Sequence, residues 1–514
     1  MNQRSRPGII VTIIAGATFG LGTVAWAIEH DAPATNSARA TPRQVRSGWP
    51  WPDRTWTYML LEGSQLVDDC YCGRPAISGP MRGTFELRLL SLGPLFATYA
   101  VTNIAFTTSL ANQTYKVSGH GTYQVGGEVA LLQDLSLQTE IHDGTASRPC
   151  GLANLSRAVP RLWPMLEAQV HETNPPAVQF YWMDLAAAPL REIWFSTAHG
   201  FHAGVWSPPT NQVSAGDLVS ANGRLVETNA NLTARLGIMP IVSDLGLDAL
   251  DINPGGEVVF SLTQDDFSET LGPLQAGDLL SAQGRIVRRN QELTRAFNVL
   301  PPVPDAGLDA VQTQADGQIF FSIVEDLVAG TGLKLGHGDL LSDAGLIVKR
   351  NQDLLARFQP ADTKTDFGLD AVHVWPSGEI WFSTAASFYG QDFRRYGPGD
   401  LLSDWGYIVF RNLELLGPFA PLEDLADFGL DALFLVSDAF ETVPPPLFGV
   451  VALDRRTAQL TLTWQGHGRV FQVQQAMAVK APFVPLSPIM PETSYSLSLA
   501  PPSAKTGLYR LQQW

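Results

Sequence analysis

Gly338-Asp-Leu-Leu-Ser-Asp-Ala-Gly-Leu-Ile-Val-Lys-Arg-Asn351, followed further on by Gly368-Leu-Asp-Ala371, returns at a fixed distance through the middle of this 514-residue chain. Its markers advance by 61 residues: Asn229, Asn290, Asn351 and Asn412; Asp217, Asp278, Asp339 and Asp400 in Gly-Asp-Leu-(Leu/Val)-Ser; and Asp248, Asp309, Asp370 and Asp431 in Gly-Leu-Asp-Ala. Four copies of one unit with short apolar runs read as blades or stacked β units, none of which can bury its apolar faces alone.

Within the unit, Glu192-Ile-Trp-Phe-Ser, Glu257-Val-Val-Phe-Ser, Gln318-Ile-Phe-Phe-Ser and Glu379-Ile-Trp-Phe-Ser do not alternate, which suits strands covered on both faces, and they are read as inner strands. Tight turns at Asn253-Pro-Gly-Gly256, Gln314-Ala-Asp-Gly317 and Trp375-Pro-Ser-Gly378 make hairpins with the Gly-Leu-Asp-Ala strands before them. Ser-x-x-Gly, as in Ser342 to Gly345, marks a second hairpin. The unit closes with Asn-x-x-Leu-x-x-x-Phe, read as one helical turn capped by its Asn. Four strands and a turn fit a propeller blade. The array begins and ends in mid-unit, so the last Gly-Leu-Asp-Ala strand is expected to complete the first blade beside Ile193-Trp-Phe195. Phe180-Tyr-Trp-Met-Asp-Leu185 is the rival for that place.

The expected fold is all-β: the repeat domain over 177–440, an N-terminal antiparallel sandwich or barrel over 51–165, and a C-terminal module over 447–514. Glu172-Thr-Asn-Pro-Pro176 is the expected exit linker of the N-terminal domain. Residues 1–27 carry Arg4, Arg6, an apolar stretch from Gly8 to Val24 and Ala25-Trp26-Ala27, the pattern of a secretory signal. The stretch is also just long enough for a retained anchor. Residues 28–50 read as a disordered leader. A net charge of −16 disfavours nucleic acid and anionic membrane as partners and suits a secreted protein, periplasmic or extracellular. Of Cys70, Cys72 and Cys150, one of the close pair is expected to bridge to Cys150.

Two resemblances accompany these readings. Leu460-Thr-Leu-Thr-Trp, Val470-Phe-Gln-Val-Gln and Leu508-Tyr-Arg-Leu resemble the fibronectin-like or immunoglobulin-like module that ends many secreted bacterial proteins, which implies a β-sandwich used for spacing, attachment or contact. Ser342-Asp-Ala-Gly345 and Ser403-Asp-Trp-Gly406 resemble the Asp-box of sialidase-type propellers; there the motif is a structural turn, so the resemblance implies no catalytic residue.

Catalytic motifs are missing: no nucleophile elbow, His-Glu-x-x-His helix, phosphate loop or dinucleotide fingerprint. The repeated aspartates are read as Asx turns rather than calcium ligands, and no cofactor is implied. Function is sought where copies differ. The loop after the expected inner strand carries His199, Phe201, His202 and Trp206 in the first copy, and Phe388, Tyr389, Asp392, Phe393, Arg394, Arg395 and Tyr396 in the fourth; the second and third are acidic there. His199, His202, Trp206, Phe388, Tyr389, Arg394, Arg395 and Tyr396 are therefore the candidate binding residues. Aromatic and cationic groups suit an extracellular polysaccharide or a protein chain. The same aromatics would also serve to dock the flanking domains. His199-x-x-His202 without a placed carboxylate is a poor metal site. The expected function is a secreted, non-enzymatic binding or scaffold protein. Its rivals are a carbohydrate-active hydrolase or lyase, which needs two carboxylates in a pocket, and a structural envelope or matrix component.

Overall fold

Why the repeats form blades follows from their edges: each copy offers a four-stranded sheet with two bare faces, and only stacking covers them. The computed structural model describes residues 12–13, 55–176, 179–240, 242, 244–439, 447–454, 459–466, 468–478, 481–498 and 508–514. They divide into two units, one spanning 55–440 and one combining 1–54 with 441–514. The expected signal segment and leader lie outside the described residues, except for Thr12–Ile13 (β1), which pairs in parallel with Leu508–Tyr509.

In the larger unit, the chain first builds a closed antiparallel barrel. Its strands are β2 (Thr55–Leu60), β3 (Gln65–Cys70), β4 (Ile77–Leu92), β5 (Phe96–Leu110), β6 (Gln113–Gly126), β7 (Leu132–His142), β8 (Ser147–Asn154), β9 (Leu166–Glu172) and β10 (Gln179–Ala188). From β4 to β10 each strand pairs with the next, and β10 returns to pair with β3 and β2. β3 pairs with the start of β4 and β2 with its later half, so β2 and β3 share one of eight staves. Alternation makes this wall: in β7, Leu135, Leu137 and Ile141 point inward while Ser136, Gln138 and Glu140 face water. Trp56, Tyr58, Phe85, Tyr99, Phe106 and Met183 fill much of the interior. The stretch Phe180–Leu185 is thus the last barrel stave and not the closing strand of the ring, and Glu172–Pro176 leads from β9 towards β10 inside the barrel.

The ring follows. Its four sheets run, from the innermost strand outward, Leu433–Ser437, Leu190–Phe195, Leu218–Ser220 and Arg224–Glu227; then Leu250–Ile252, Val258–Phe260, Leu279–Ser281 and Arg285–Arg288; then Val311–Thr313, Ile319–Phe321, Leu340–Ser342 and Leu346–Lys349; then Val372–Val374, Ile380–Phe382, Leu401–Ser403 and Tyr407–Phe410. The four innermost strands neighbour one another in a closed circle. The last strand completes the first sheet, with Ile193 opposite Leu435, Trp194 opposite Phe434 and Phe195 opposite Leu433. One expectation is corrected here. The Ile-Trp-Phe strands hold the second place, because the residues that follow Gly-Leu-Asp take the axis.

Buried hydroxyls latch neighbouring copies. Ser196, Ser261, Ser322 and Ser383 donate through Oγ to the carbonyls of Leu247, Leu308, Leu369 and Leu430, each in the next Gly-Leu-Asp-Ala. The marker asparagines bind differently from expected. Each is the first helical residue rather than its cap. Asn412 donates through Nδ2 to the Gly429 carbonyl at 3.0 Å and accepts from Phe428 N–H at 2.8 Å, fastening the helical turn to the start of the next strand. Their early position explains this role: a buried amide with both ends satisfied pins two backbone segments at once.

The described residues of the smaller unit form two sheets, antiparallel apart from the parallel pairing of β1. Gln459–Gln465 pairs with Leu447–Asp454 and Ser494–Ser498, and Phe471–Ala476 pairs with Leu508–Gln513 and Val484–Pro485. Leu460, Leu462, Trp464, Phe471, Val473 and Leu511 form its core.

Candidate functional site

The fourth copy differs from its siblings at both its sheet and its hairpin. The glutamate before each second strand is bound by a serine of the third strand: Ser220 to Glu192, Ser281 to Glu257, Ser403 to Glu379. In the first two copies an arginine of the outer strand neutralises it, Arg224 on Glu192 and Arg285 on Glu257. The third copy has Gln318 and Leu346 instead. The fourth has Tyr407 where Arg285 stands in the second, and its cation comes from the barrel. Arg161 Nη2 lies 2.8 and 3.0 Å from the Glu379 carboxylate oxygens and also donates to Tyr407 Oη. The guanidinium sits 4.2 Å from the Tyr407 ring centroid, and Trp381 Nε1 donates to the same carboxylate at 2.9 Å. Burial, first, and the Glu379 charge, second, push the Tyr407 phenol well up, so it stays a neutral donor.

Every copy also carries a two-stranded hairpin between its second and third strands. In the fourth it joins Phe388–Tyr389 to Arg395–Tyr396, with Phe388 opposite Tyr396 and Tyr389 opposite Arg395. Phe388 and Tyr396 face inward, stacked at 4.7 Å with an interplanar angle of 15°, and Phe358 packs edge-on against Tyr396. Tyr389 and Arg395 face out; Tyr389 is 54% exposed. At the tip, Phe393 N–H donates to the Gly390 carbonyl and Gly390 N–H to the Arg394 carbonyl, a tight turn whose final residue must be left-handed. The third copy fills that place with Gly332 at φ 83°. Here it is Phe393, at φ 63° and 89% exposed. A bulky left-handed residue costs of order 1 kcal/mol, and at 89% exposure the Phe393 ring gains little from burial.

The other sequence-derived candidates are distributed around this hairpin and the first copy's. Arg394 is tied to Glu62 of the barrel at 2.6 Å and lies 5.7 Å from the Tyr396 ring. Arg395 makes no ion pair among the described residues. His202 is exposed and its Nδ1 lies 2.7 Å from Glu423; His199 is exposed, its backbone N–H donating to Phe428. Trp206 packs edge-on against Phe419 at 5.5 Å, and Phe201 is buried. Thus Phe201, Phe388, Tyr396 and half of Trp206 belong to the packing of the ring, while Tyr389, Phe393 and Arg395 remain on the surface. Sequence reading singled out the loop, but counted the inward-facing Phe388 and Tyr396 among its candidates and left out Phe393. Cross-strand alternation separates them.

The cysteines depart from expectation. Cys70 and Cys72 are bonded to each other, Cα to Cα 5.2 Å, and Cys150 is a buried free thiol whose pKa burial pushes up to about 12. β3 and β8 stand three strand spacings apart around the wall, through β10 and β9, about 14 Å at roughly 4.8 Å each. A bridge spans far less than that.

Repeated aspartates split into two classes. Asp217, Asp278, Asp339 and Asp400 accept backbone N–H bonds, as from Gly397 and Asn412 onto Asp400, and so make the expected turns. Asp248, Asp309, Asp370 and Asp431 do not: among the described residues none donates a hydrogen bond to their carboxylates. They stand just ahead of the four innermost strands, near enough for their charges to repel one another. Burial raises Asp248 and Asp370 to about 7 and Asp431 to about 8, with mutual repulsion adding to Asp370 and Asp431, and Asp309 is raised by both causes. Asp326, His337 and Asp366 also approach one another, but His337 turns Nδ1 to Asp326 at 2.9 Å and Nε2 toward Asp366 at 3.7 Å, on opposite sides of the ring. Lys334 already neutralises Asp326 at 2.7 Å. That geometry is a chain of polar contacts closed by the Lys334–Asp326 ion pair.

Comparison with known proteins adds little. No family model matches the chain, and no curated protein matches it. Among solved structures it is similar to the extracellular domain of a proposed hybrid two-component system from B. thetaiotaomicron, at 8% identity and a TM-score of 0.19, covering 84% of this chain and 83% of that one. A proposed one-component system of the same organism gives 9% identity and a TM-score of 0.16, covering 87% and 79%. Scores this low carry neither fold nor function across.

Proposed function

We propose that this chain is a secreted, non-enzymatic binding protein that holds an acidic extracellular polysaccharide on the hairpin of its fourth repeat. The observation that carries the reading is Phe393, a strained and almost fully exposed aromatic in a turn position that the neighbouring copy gives to glycine. Strain and exposure both oppose folding, so an interaction outside the chain accounts for their presence. Tyr389 and Arg395 stand side by side on the outer face of the same hairpin. Aromatic faces stack on the C–H surfaces of sugars, and an arginine without an ion pair takes a carboxylate in two parallel hydrogen bonds. In a chain of net charge −16, a cation that makes no ion pair among the described residues, beside two exposed rings, is a local exception that complements uronic acid units. The Cys70–Cys72 bridge supports an oxidising compartment.

Immobilised wild-type protein and the F393G and Y389A variants, tested against neutral and uronic-acid polysaccharides, provide the test. Retention of acidic polymers by the wild type, reduced at least tenfold in F393G with no drop in melting temperature, is the expected result. Equal retention of neutral polymers, or no retention of either, would overturn the reading.

A further inference from the structure

We propose that the Cys70–Cys72 bridge is a thiol–disulfide exchange site that oxidises paired cysteines of an unfolded polypeptide. A bridge stabilises a fold by closing a loop of the unfolded chain, and the gain grows with the length of that loop. This one encloses Tyr71 alone. It joins no two elements either, since Cys70 ends β3 and Cys72 lies in the turn that leads on to β4. Structural stapling therefore explains little of its presence.

The surroundings suit exchange instead. Residues 71–76 are all exposed, and among the described residues 71–75 make no hydrogen bond to another backbone group. Besides the bridge, the turn is held by Arg74 on Asp68 at 2.7 Å and by Tyr71, 71% exposed, whose ring lies 4.8 Å from Phe180. Exposed bridges are the ones that thiols open. The two sulfurs are not equivalent: Cys72 is exposed and Cys70 half-buried, so an incoming thiolate meets Cys72 Sγ. Cys72 N–H donates to Cys70 Sγ at 3.3 Å, a bond that strengthens as that sulfur takes up negative charge and so helps it leave.

The exchange balances within the two molecules. A substrate thiolate bonds to Cys72 Sγ, the Sγ–Sγ bond breaks, and Cys70 departs as a thiolate. The second substrate thiolate then bonds to the first substrate sulfur and breaks its bond to Cys72. The substrate has lost two electrons and two protons, which Cys70 and Cys72 now hold as thiols. One bridge is used per encounter, so no turnover is implied. Cys150 takes no part, being buried and three strand spacings away. The site is independent of the hairpin of the fourth repeat.

Intact oxidised protein, kept free of oxygen and mixed with a reduced synthetic peptide carrying Cys-Gly-Gly-Cys, provides the test, with alkylation and mass spectrometry counting thiols and disulfides. One peptide disulfide and two new thiols per chain are expected, at Cys70 and Cys72, and the reduced protein should melt as the oxidised one does. Failure to oxidise the peptide overturns the site, as does a bridge that stays closed in about 10 mM reduced and about 0.1 mM oxidised glutathione. A clear fall in melting temperature on reduction would make the bridge a structural staple and overturn it equally. Cys70→Ser and Cys72→Ser should oxidise no peptide, and oxidation by either would place the reaction elsewhere. With oxidised glutathione, Cys72 of the Cys70→Ser chain should form a mixed disulfide at least tenfold faster than Cys70 of the Cys72→Ser chain; equal rates would overturn the choice of Cys72 as the attacked sulfur. The wild-type measurements stand whether or not either variant folds.

Discussion

Copies two and four of the repeat are the same unit put to different uses. In copy two, Glu257 is neutralised by Arg285 from its own outer strand, with the arginine 54% exposed. In copy four, Tyr407 replaces that arginine and Glu379 takes its cation from the barrel, both partners buried. Copy three and copy four differ likewise at the hairpin tip, Gly332 against Phe393. Positions that build the blade hold constant: the latching serines, the asparagine clamp and the turn aspartates. Positions that face something other than a blade vary. A departure from the repeat therefore locates a contact, with the barrel at Tyr407 and, on our reading, with a ligand at Phe393.

The strongest way to break this comparison is to remove the two arginines. Arg161→Ala should strand a buried glutamate and lower stability by about 3–5 kcal/mol, whereas Arg285→Ala should cost at most about 1 kcal/mol, since its pair is solvated. Urea unfolding of both variants measures the difference; equal losses would mean that the borrowed arginine is no more than a surface contact. Replacing the clamp asparagines should instead treat the copies alike. Asn290→Ala and Asn412→Ala are each expected to cost about 2–3 kcal/mol, because each leaves a buried N–H and a buried carbonyl unpaired.

Smaller effects sharpen the axis and the tip. The folded pKa of Asp431, about 8, lies above the unfolded value near 3.9. The native state then holds more protons between these values, so the stability associated with this group is full below about pH 4 and is lost as pH rises toward 8. Asp431→Asn should accordingly stabilise by about 1 kcal/mol at pH 8, a figure reduced because the native state can relax around a buried charge, and by much less at pH 5. Thermal melts of the two proteins across that range test the sign, and a benefit independent of pH would refute the linkage. Smallest of all, Phe393→Gly should raise stability by roughly 0.5–1 kcal/mol and Gly332→Phe lower it by a similar amount, since space is open at Gly332 and only the backbone conformation resists.

Much of the ring was legible before any coordinates. A 61-residue period, strands without alternation and an array out of phase at its ends imply blades and closure by the last Gly-Leu-Asp-Ala strand, Leu430 to Leu435, because an unpaired edge is costly and local spacing reports on it. Less legible was the order of strands inside a blade: both Gly-Leu-Asp-Ala and Ile-Trp-Phe segments are buried on two faces, and burial alone does not say which lies at the axis. The aspartates divided for the same reason. Asp400 and Asp431 look alike in sequence, yet one meets backbone N–H groups and the other meets its own copies across the ring.

By itself, then, the sequence determined the all-β class, the repeat and the loops where the copies diverge, since these depend on periodicity and turn chemistry within a few residues. Only the tertiary structure decided that Phe180–Leu185 belongs to the barrel, that Cys70 bonds Cys72 rather than Cys150, and that Arg161 completes a repeat 218 residues away. The physical reason is shared by all three. Each depends on which strands become neighbours after closure, a distance around a wall or across an interface that separation along the chain does not encode.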